Sequence, residues 1–206
     1  MSHNDISRLT EASIKWSEQK KSNSPEFFSE TASGQSPRYL WIGCVDSRVP
    51  VEVICGLEPG EMLTHRNIAN QFLNGDGNTN AIIEFAVGAL KIPNIVVCGH
   101  TACGGIKAGM AQAQLGDSDS SFLSQWVSAI AKLYNANEEQ LCSMPDAEAA
   151  NELAIINVAS QVEKLAESAP VVNAWNAGQP VAIHGLLYNL ESGTLTDLAV
   201  SREGPA

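Results

Sequence analysis

A chain of 206 residues is about the size of one large domain and can bury a full core without disulfide support. Its 23 acidic residues against 12 Lys and Arg leave a net charge of −11, which argues against nucleic acid and membranes as partners, because phosphate backbones and anionic lipids both require clustered cations. No apolar stretch approaches the ~18 residues needed to cross a bilayer. The first 30 residues hold Asp5, Glu11, Glu18, Glu26 and Glu30 and no long apolar run, against a secretory or transit-peptide reading.

In chain order, residues 4–20 read as an amphipathic helix, with Ile6, Leu9, Ser13 and Trp16 on one face. Such a helix must dock on its own domain or on a partner subunit. Residues 21–37 are polar, with Pro25, Gly34 and Pro37, and predict a loop with a short helical turn. Residues 1–37 are therefore expected to form an N-terminal helical arm, and 38–206 the main domain. The apolar run 39–45 suits a strand buried on both faces, and 61–65 a second strand. Residues 80–90 are almost wholly apolar and predict a helix capped by Asn80. Another buried strand is expected at 94–99, helices near 122–135 and 146–168, and strands at 180–190 and 194–200 joined tightly at Gly193. The fold class is α/β: a mainly parallel β-sheet flanked by helices.

Two strands end in unusual sequences. The first runs Cys44-Val-Asp46-Ser-Arg48, the second Gly99-His100-Thr-Ala-Cys103-Gly104-Gly105. Sites in open parallel sheets form beyond the carboxyl ends of the strands, which is where both segments fall. Two cysteines and a histidine make a ligand set suited to Zn²⁺, and three protein ligands leave one tetrahedral position open for catalysis. His100 and Cys103 lie within one turn, and Cys44 comes from a neighbouring strand. Gly99, Gly104 and Gly105 let the backbone bend tightly around the metal. Asp46 and Arg48, two apart, can form a dyad in which arginine grips the carboxylate bidentately, keeping it ionised and aimed as an acceptor. The other cysteines, Cys55, Cys98 and Cys142, are expected in the core. An odd number of cysteines without a disulfide spacing suits a reducing cytoplasm. His65 and His184 are expected to be hydrogen-bonded near the core.

These segments, with Gly56-Leu-Glu-Pro-Gly-Glu61 and His65-Arg-Asn-Ile-Ala-Asn70, resemble the β-class carbonic anhydrases, from about Trp41 to Val200. The resemblance implies one Zn²⁺ on Cys44, His100 and Cys103, an Asp46–Arg48 dyad, dimers or multiples of dimers, and reversible hydration of CO₂ to bicarbonate. It also implies that Asp46, released by Arg48, can become a fourth metal ligand and switch the enzyme off. A subset of the family has a bicarbonate pocket favouring that closed state; its three residues match Trp41, Arg66 and Tyr188. Two rival readings remain open. One keeps the fold and metal but hydrolyses carbon disulfide or carbonyl sulfide. The other is a non-catalytic protein with structural zinc or a redox pair of cysteines, although structural sites normally have four ligands and the C-x-x-C spacing is absent.

Overall fold

The computed structural model describes residues 3–73, 75–116 and 120–204, with side chains from Ile6 onward. The chain forms two units, divided between Ser36 and Pro37.

The first unit is helical. Helix α1 (His3–Asn23) closes with Lys20 and Lys21 in its last turn, where cations suit the negative end of the helix dipole. Helix α2 (Phe27–Ala32) follows a short turn. Trp16 packs edge-on against Phe27 and Phe28 at ring-centroid separations of 6.4 and 5.6 Å. Ile6, Leu9 and Ile14 of α1 remain largely exposed.

The second unit is a five-stranded sheet ordered β2-β1-β3-β4-β5. The strands are β1 (Tyr39–Cys44), β2 (Met62–Asn67), β3 (Asn94–His100), β4 (Ala182–Asn189) and β5 (Thr194–Asp197). The first four run parallel, and β5 pairs antiparallel with β4. The central strands are apolar throughout because both faces are covered. Leu40, Ile42, Ile95, Val97 and Ile183 pack with Val158, Val162 and Leu165 on one side. Trp41, Val96, Cys98 and Tyr188 pack with Val49 and Val51 on the other. Each large apolar side chain so buried contributes roughly 1.5–3 kcal/mol.

The helices of this unit are α3 (Val51–Cys55), α4 (Gly77–Ile83), α5 (Gly104–Leu115), α6 (Phe122–Ala136), α7 (Glu138–Leu141), α8 (Asp146–Ala166) and α9 (Ala169–Asn176). Helix α8 has Asp146 and Glu148 in its first turn and Lys164 in its last, matching the dipole. Its residues 149, 153, 157 and 161 and its residues 150, 154, 158 and 162 form two adjacent stripes at four-residue spacing, all buried. Two of those positions are polar, Asn157 and Gln161, and both are essentially inaccessible to solvent.

Three sequence expectations need correction. The apolar helix expected at 80–90 starts earlier: its cap is Asp76, whose side chain accepts from Asn78 N–H, rather than Asn80. Its end, Glu84–Ala89, widens into a π-turn, with Leu90 N–H bonded to Phe85 C=O at 3.0 Å. The last strand stops at Asp197 rather than 200, because Ala199 takes a left-handed φ of 56° and donates its N–H to Asp197 Oδ1. Cys142 is exposed rather than in the core, and Cys55 is half-buried; Cys98 is buried in the sheet. His65 is buried against Thr79 Oγ1 at 3.0 Å, and His184 lies 3.1 Å from Ser201 Oγ.

Candidate metal centre

Parallel strands β1 and β3 are neighbours, with Gly43 paired to Cys98. Their carboxyl ends therefore deliver Cys44 and His100 side by side. The chain leaves His100, turns through Ala102 in a left-handed conformation (φ 54°), and enters α5 directly after Cys103. The ligand-type atoms of Cys44, His100 and Cys103 all lie within 4.8 Å of one another, and all three residues are buried.

The geometry fits a tetrahedral metal. The two sulfurs are 3.8 Å apart, far beyond the ~2.05 Å of a disulfide. Two sulfurs each ~2.3 Å from a common tetrahedral centre would be separated by about 3.8 Å. His100 Nδ1 lies 2.9 Å from Thr101 C=O; a carbonyl can only accept, so Nδ1 carries the hydrogen and Nε2 keeps its lone pair. That Nε2 is buried and has no hydrogen-bond partner among the described residues. An inaccessible acceptor beside two thiols, itself unpaired, has the chemistry of a metal ligand.

The thiols titrate as a pair. The Cys44 thiol is lowered to about 4, chiefly by the hydrogen bond from Cys103 and against the cost of burial. Cys103 is pushed up, first by that same bond and then by burial. One proton leaves readily and the second is held until a cation replaces it. Smaller contributions from neighbouring backbone amides also favour the charged form, those of Ala69 and Asp46 lowering the Cys44 pKa and those of Ile106 and Gly105 opposing the rise at Cys103. Burial works against charge on His100, but the Cys44 thiolate outweighs it and raises the imidazole pKa.

Asp46 sits beside this group rather than within it. Arg48 holds its carboxylate with three bonds: Nε to Oδ1 at 2.9 Å, Nη2 to Oδ2 at 2.7 Å, and backbone N–H to Oδ1 at 2.9 Å. The Arg48 side-chain bonds hold the Asp46 pKa well below the usual carboxylate range. Asp46 Oδ2 lies 3.7 Å from His100 Nε2, close to the metal position but turned toward Arg48.

The other residues singled out in the sequence fall nearby. Arg66, on β2, donates from Nε to Cys44 C=O at 2.9 Å and from Nη2 to Asp46 C=O at 2.5 Å. Trp41 is buried with its indole lying over Gly43, where an added Cβ would fall 2.2 Å from Nε1; that N–H has no partner among the described residues. Gly43 is the residue of β1 opposite Arg66. Tyr188 is buried in the same apolar cluster as Trp41. Gly104 opens α5 immediately after Cys103.

The supports behind these turns leave no mark in the sequence. The tight turn Ile68–Asn70 has two consecutive non-glycine residues with positive φ, Ala69 at 61° and Asn70 at 45°. Asparagine tolerates that region, but alanine there is strained by roughly 1–3 kcal/mol and persists only where its surroundings impose it. Helix α8 supplies much of the restraint. Asn157 Nδ2 donates to Ala69 C=O at 3.0 Å, Gln161 Oε1 accepts from Phe72 N–H at 2.9 Å, and Gln161 Nε2 donates to Asn157 Oδ1 at 2.8 Å. Asn151, on the same helix, accepts from Ala102 N–H at 2.8 Å. Gly105 lies so close to this turn that a Cβ there would meet Ile68 Cγ2 at 2.5 Å.

The family profile described as carbonic anhydrase matches residues 39–195, most of the chain. The chain belongs to the β-class carbonic anhydrases. A carbonic anhydrase from Emericella nidulans is 38% identical over 198 residues, covering 96% of this chain and 85% of that protein. The solved Coccomyxa β-carbonic anhydrase, in complex with acetazolamide, superposes with a TM-score of 0.92 at 33% identity, over 97% of this chain and 88% of the other. A tetrameric β-carbonic anhydrase from Sordaria macrospora gives 0.89 at 32% identity, over 97% and 100%. The mainly parallel sheet described above is thus the fold of a carbonic anhydrase, and it carries a Cys-His-Cys group that could hold a metal ion.

Proposed function

We propose that this carbonic anhydrase catalyses CO₂ + H₂O ⇌ HCO₃⁻ + H⁺ with one Zn²⁺ held by Cys44, His100 and Cys103. The observation that carries the reading is the unpaired, buried His100 Nε2 facing two sulfurs at tetrahedral spacing. When bound, the metal supplies acidity, bringing the pKa of a coordinated water toward neutrality. The side chains do the rest. Arg48 keeps Asp46 ionised, so the carboxylate acts as a fixed acceptor. It orients the nucleophilic oxygen by taking its hydrogen bond, leaving a lone pair aimed at the carbon of CO₂. Two thiolates and a neutral imidazole cancel the charge of a dication, so the water is acidified less than by three histidines. Hydration should therefore rise with pH above 7. Stopped-flow CO₂ hydration from pH 6.5 to 9, run beside a sulfide-release assay with carbon disulfide and carbonyl sulfide, tests both points. A flat profile would count against the charge reasoning, and sulfide release without CO₂ hydration would reassign the substrate.

Regulation belongs to the same reading. Trp41, Arg66 and Tyr188 form a bicarbonate site: Arg66 brings positive charge, and the Trp41 indole and Tyr188 hydroxyl bring donors. The Trp41 N–H supports it: it has no partner among the described residues and lies over Gly43, the strand neighbour of Arg66. Because Arg66 also ties down the carbonyls of Cys44 and Asp46, an anion competing for its guanidinium loosens the segment that carries Asp46. Released from Arg48, the Asp46 carboxylate would be free to act as a further ligand to a bound Zn²⁺, which would switch the activity off. Arg66→Ala should abolish bicarbonate inhibition and flatten its pH dependence; unchanged inhibition in that variant would remove the regulatory site. The exposed apolar residues of α1 support a homodimer or a multiple of dimers. The five free cysteines, two of them proposed ligands that must stay reduced, support a cytoplasmic location.

A further inference from the structure

His100 and Cys103 stand at the two ends of one tight turn, with Thr101 and Ala102 between them. Both intervening residues are tied to neighbouring elements. Thr101 N–H donates to Tyr188 C=O at 3.0 Å, and Thr101 Oγ1 accepts from Leu190 N–H at 3.0 Å, so the end of β4 holds the first half of the turn. Ala102 N–H donates to Asn151 Oδ1 at 2.8 Å, so helix α8 holds the second half. That helix is a firm mount. Gly99, the residue before His100, lies so close to it that an added Cβ would fall 2.8 Å from Val158 Cγ2. Asn151 stands about two turns before Val158 on the same helix.

One peptide group connects α8 to the imidazole. The Thr101 carbonyl and the Ala102 N–H belong to the same planar unit, and in a trans peptide they point in opposite directions. The carbonyl faces His100 Nδ1 at 2.9 Å, and the N–H faces Asn151. Fixing one end therefore fixes the other. Turning the peptide over between its two Cα atoms would change ψ of Thr101 and φ of Ala102 together. It would take φ of Ala102 from 54° into the negative range that alanine prefers. Local backbone preference thus favours the turned-over peptide, and the bond to Asn151 opposes it. The consequence reaches the ring. In the turned-over form an N–H rather than a carbonyl faces Nδ1. Nδ1 would then keep the lone pair and Nε2 would carry the hydrogen, leaving Nε2 unable to ligate.

We propose that Asn151 is a positioning residue for the metal centre: it holds the Thr101–Ala102 peptide with its carbonyl on His100 Nδ1, and so selects the imidazole tautomer whose Nε2 can bind the ion. The hydrogen bonds run in one line from Asn151 through the peptide to the ring, and each polarises the next. A ligating histidine is oriented by the group to which its second nitrogen donates. Here that group is a main-chain carbonyl, and a side chain one peptide removed sets its direction. This inference rests on the metal assignment made above, and the two can fail separately.

The test uses the full chain labelled with ¹⁵N at histidine, reduced and metal-free at alkaline pH where the ring is neutral, and then loaded with Zn²⁺. Long-range ¹H–¹⁵N spectra tell the hydrogen-bearing ring nitrogen from the one with a lone pair. In the wild type His100 should carry its hydrogen on Nδ1 before and after loading. Asn151→Leu fills the same space without an acceptor and favours the helix. Its metal-free ring should move toward the Nε2–H form, and its Zn²⁺ affinity, by competition with a chelator, should fall ~10–100-fold. Asn151→Asp keeps the acceptor and should match the wild type in both readouts. Adding Ala102→Gly to Asn151→Leu should restore part of both, because glycine takes the left-handed turn without penalty. If Asn151→Leu does not fold, Asn151→Ala should move both readouts in the same direction. A lower melting temperature with tautomer and affinity unchanged overturns the proposal. So does a metal-free wild type with the hydrogen on Nε2, or an Asn151→Asp protein that loses as much affinity as Asn151→Leu. A wild type that binds no Zn²⁺ at these residues, whatever its tautomer, overturns the metal assignment and this inference with it.

Discussion

Cys103→Ser should leave a folded protein that has lost its metal and its CO₂ hydration activity together. The loss in affinity should exceed the ~10–100-fold expected for changing a residue that merely supports a ligand. Serine is nearly isosteric with cysteine but gives no thiolate at neutral pH, so it removes the soft donor without opening a cavity. Cys103 is only 3% exposed at the start of α5, and a hydroxyl of nearly the same size fits there, which keeps the turn intact. Metal content by atomic emission, activity by stopped flow and folding by circular dichroism separate the outcomes. A variant that keeps full metal content and activity would remove Cys103 from the ligand set.

The second large effect concerns the carboxylate. Asp46→Asn keeps the shape of the side chain and one acceptor oxygen but loses its charge and the bidentate clasp of Arg48. The reacting oxygen would lose its charged acceptor, a role worth ~10²–10⁴-fold where proton positioning limits the rate. The expected result is a fall of that order in kcat with metal content unchanged, which distinguishes it from Cys103→Ser. The pH dependence has a definite sign. Arg48 depresses the pKa of Asp46, so the carboxylate is ionised at neutral and mildly acidic pH and is protonated only as pH falls through its low folded value. The dyad's contribution is thus complete above the ordinary carboxylate pKa of ~3.9. In Arg48→Ala the Asp46 pKa should climb back toward that value, adding an acid limb that the wild type lacks over the same range. An Asp46→Asn enzyme with wild-type kcat would leave the carboxylate without a catalytic role.

Much of the sheet is legible in the chain because its strands are buried on both faces: 39–45 and 94–99 are continuous apolar runs of strand length. The errors fall where that signal is ambiguous. Residues 80–90 are so uniformly apolar that no periodicity marks the cap or the π-turn, and the true cap, Asp76, lies in a polar stretch resembling any loop. Helices α3, α5, α7 and α9 lie outside the sequence expectations; α3 and α9 are short and depend on packing, Val51 under the sheet and Val171 against the main core. At the site, Cys44 and His100–Cys103 are readable because strong ligand types stand at strand ends. The amides behind them are not. Asn151, Asn157 and Gln161 look from the sequence like the wet face of a helix, and only the fold shows the latter two in the dry stripe. Likewise nothing in Ile68-Ala-Asn70 announces a left-handed alanine, since the restraint comes from residues about 90 positions later.

The spacing of the ligands along the chain also bears on how the protein matures. His100 and Cys103 are close neighbours in sequence, but Cys44 lies 59 residues before Cys103 and reaches them only once β1 has paired with β3. An unfolded chain offers an ion just a local two-residue clasp, while the complete three-residue cradle exists only after a non-local parallel pairing, which is intrinsically slow to form. Metal capture should therefore follow assembly of the sheet and act as a latch on it. Each tenfold of ion concentration above the dissociation constant then adds about 1.4 kcal/mol to the folded state, so newly made chains would remain more fragile until a cation reaches them.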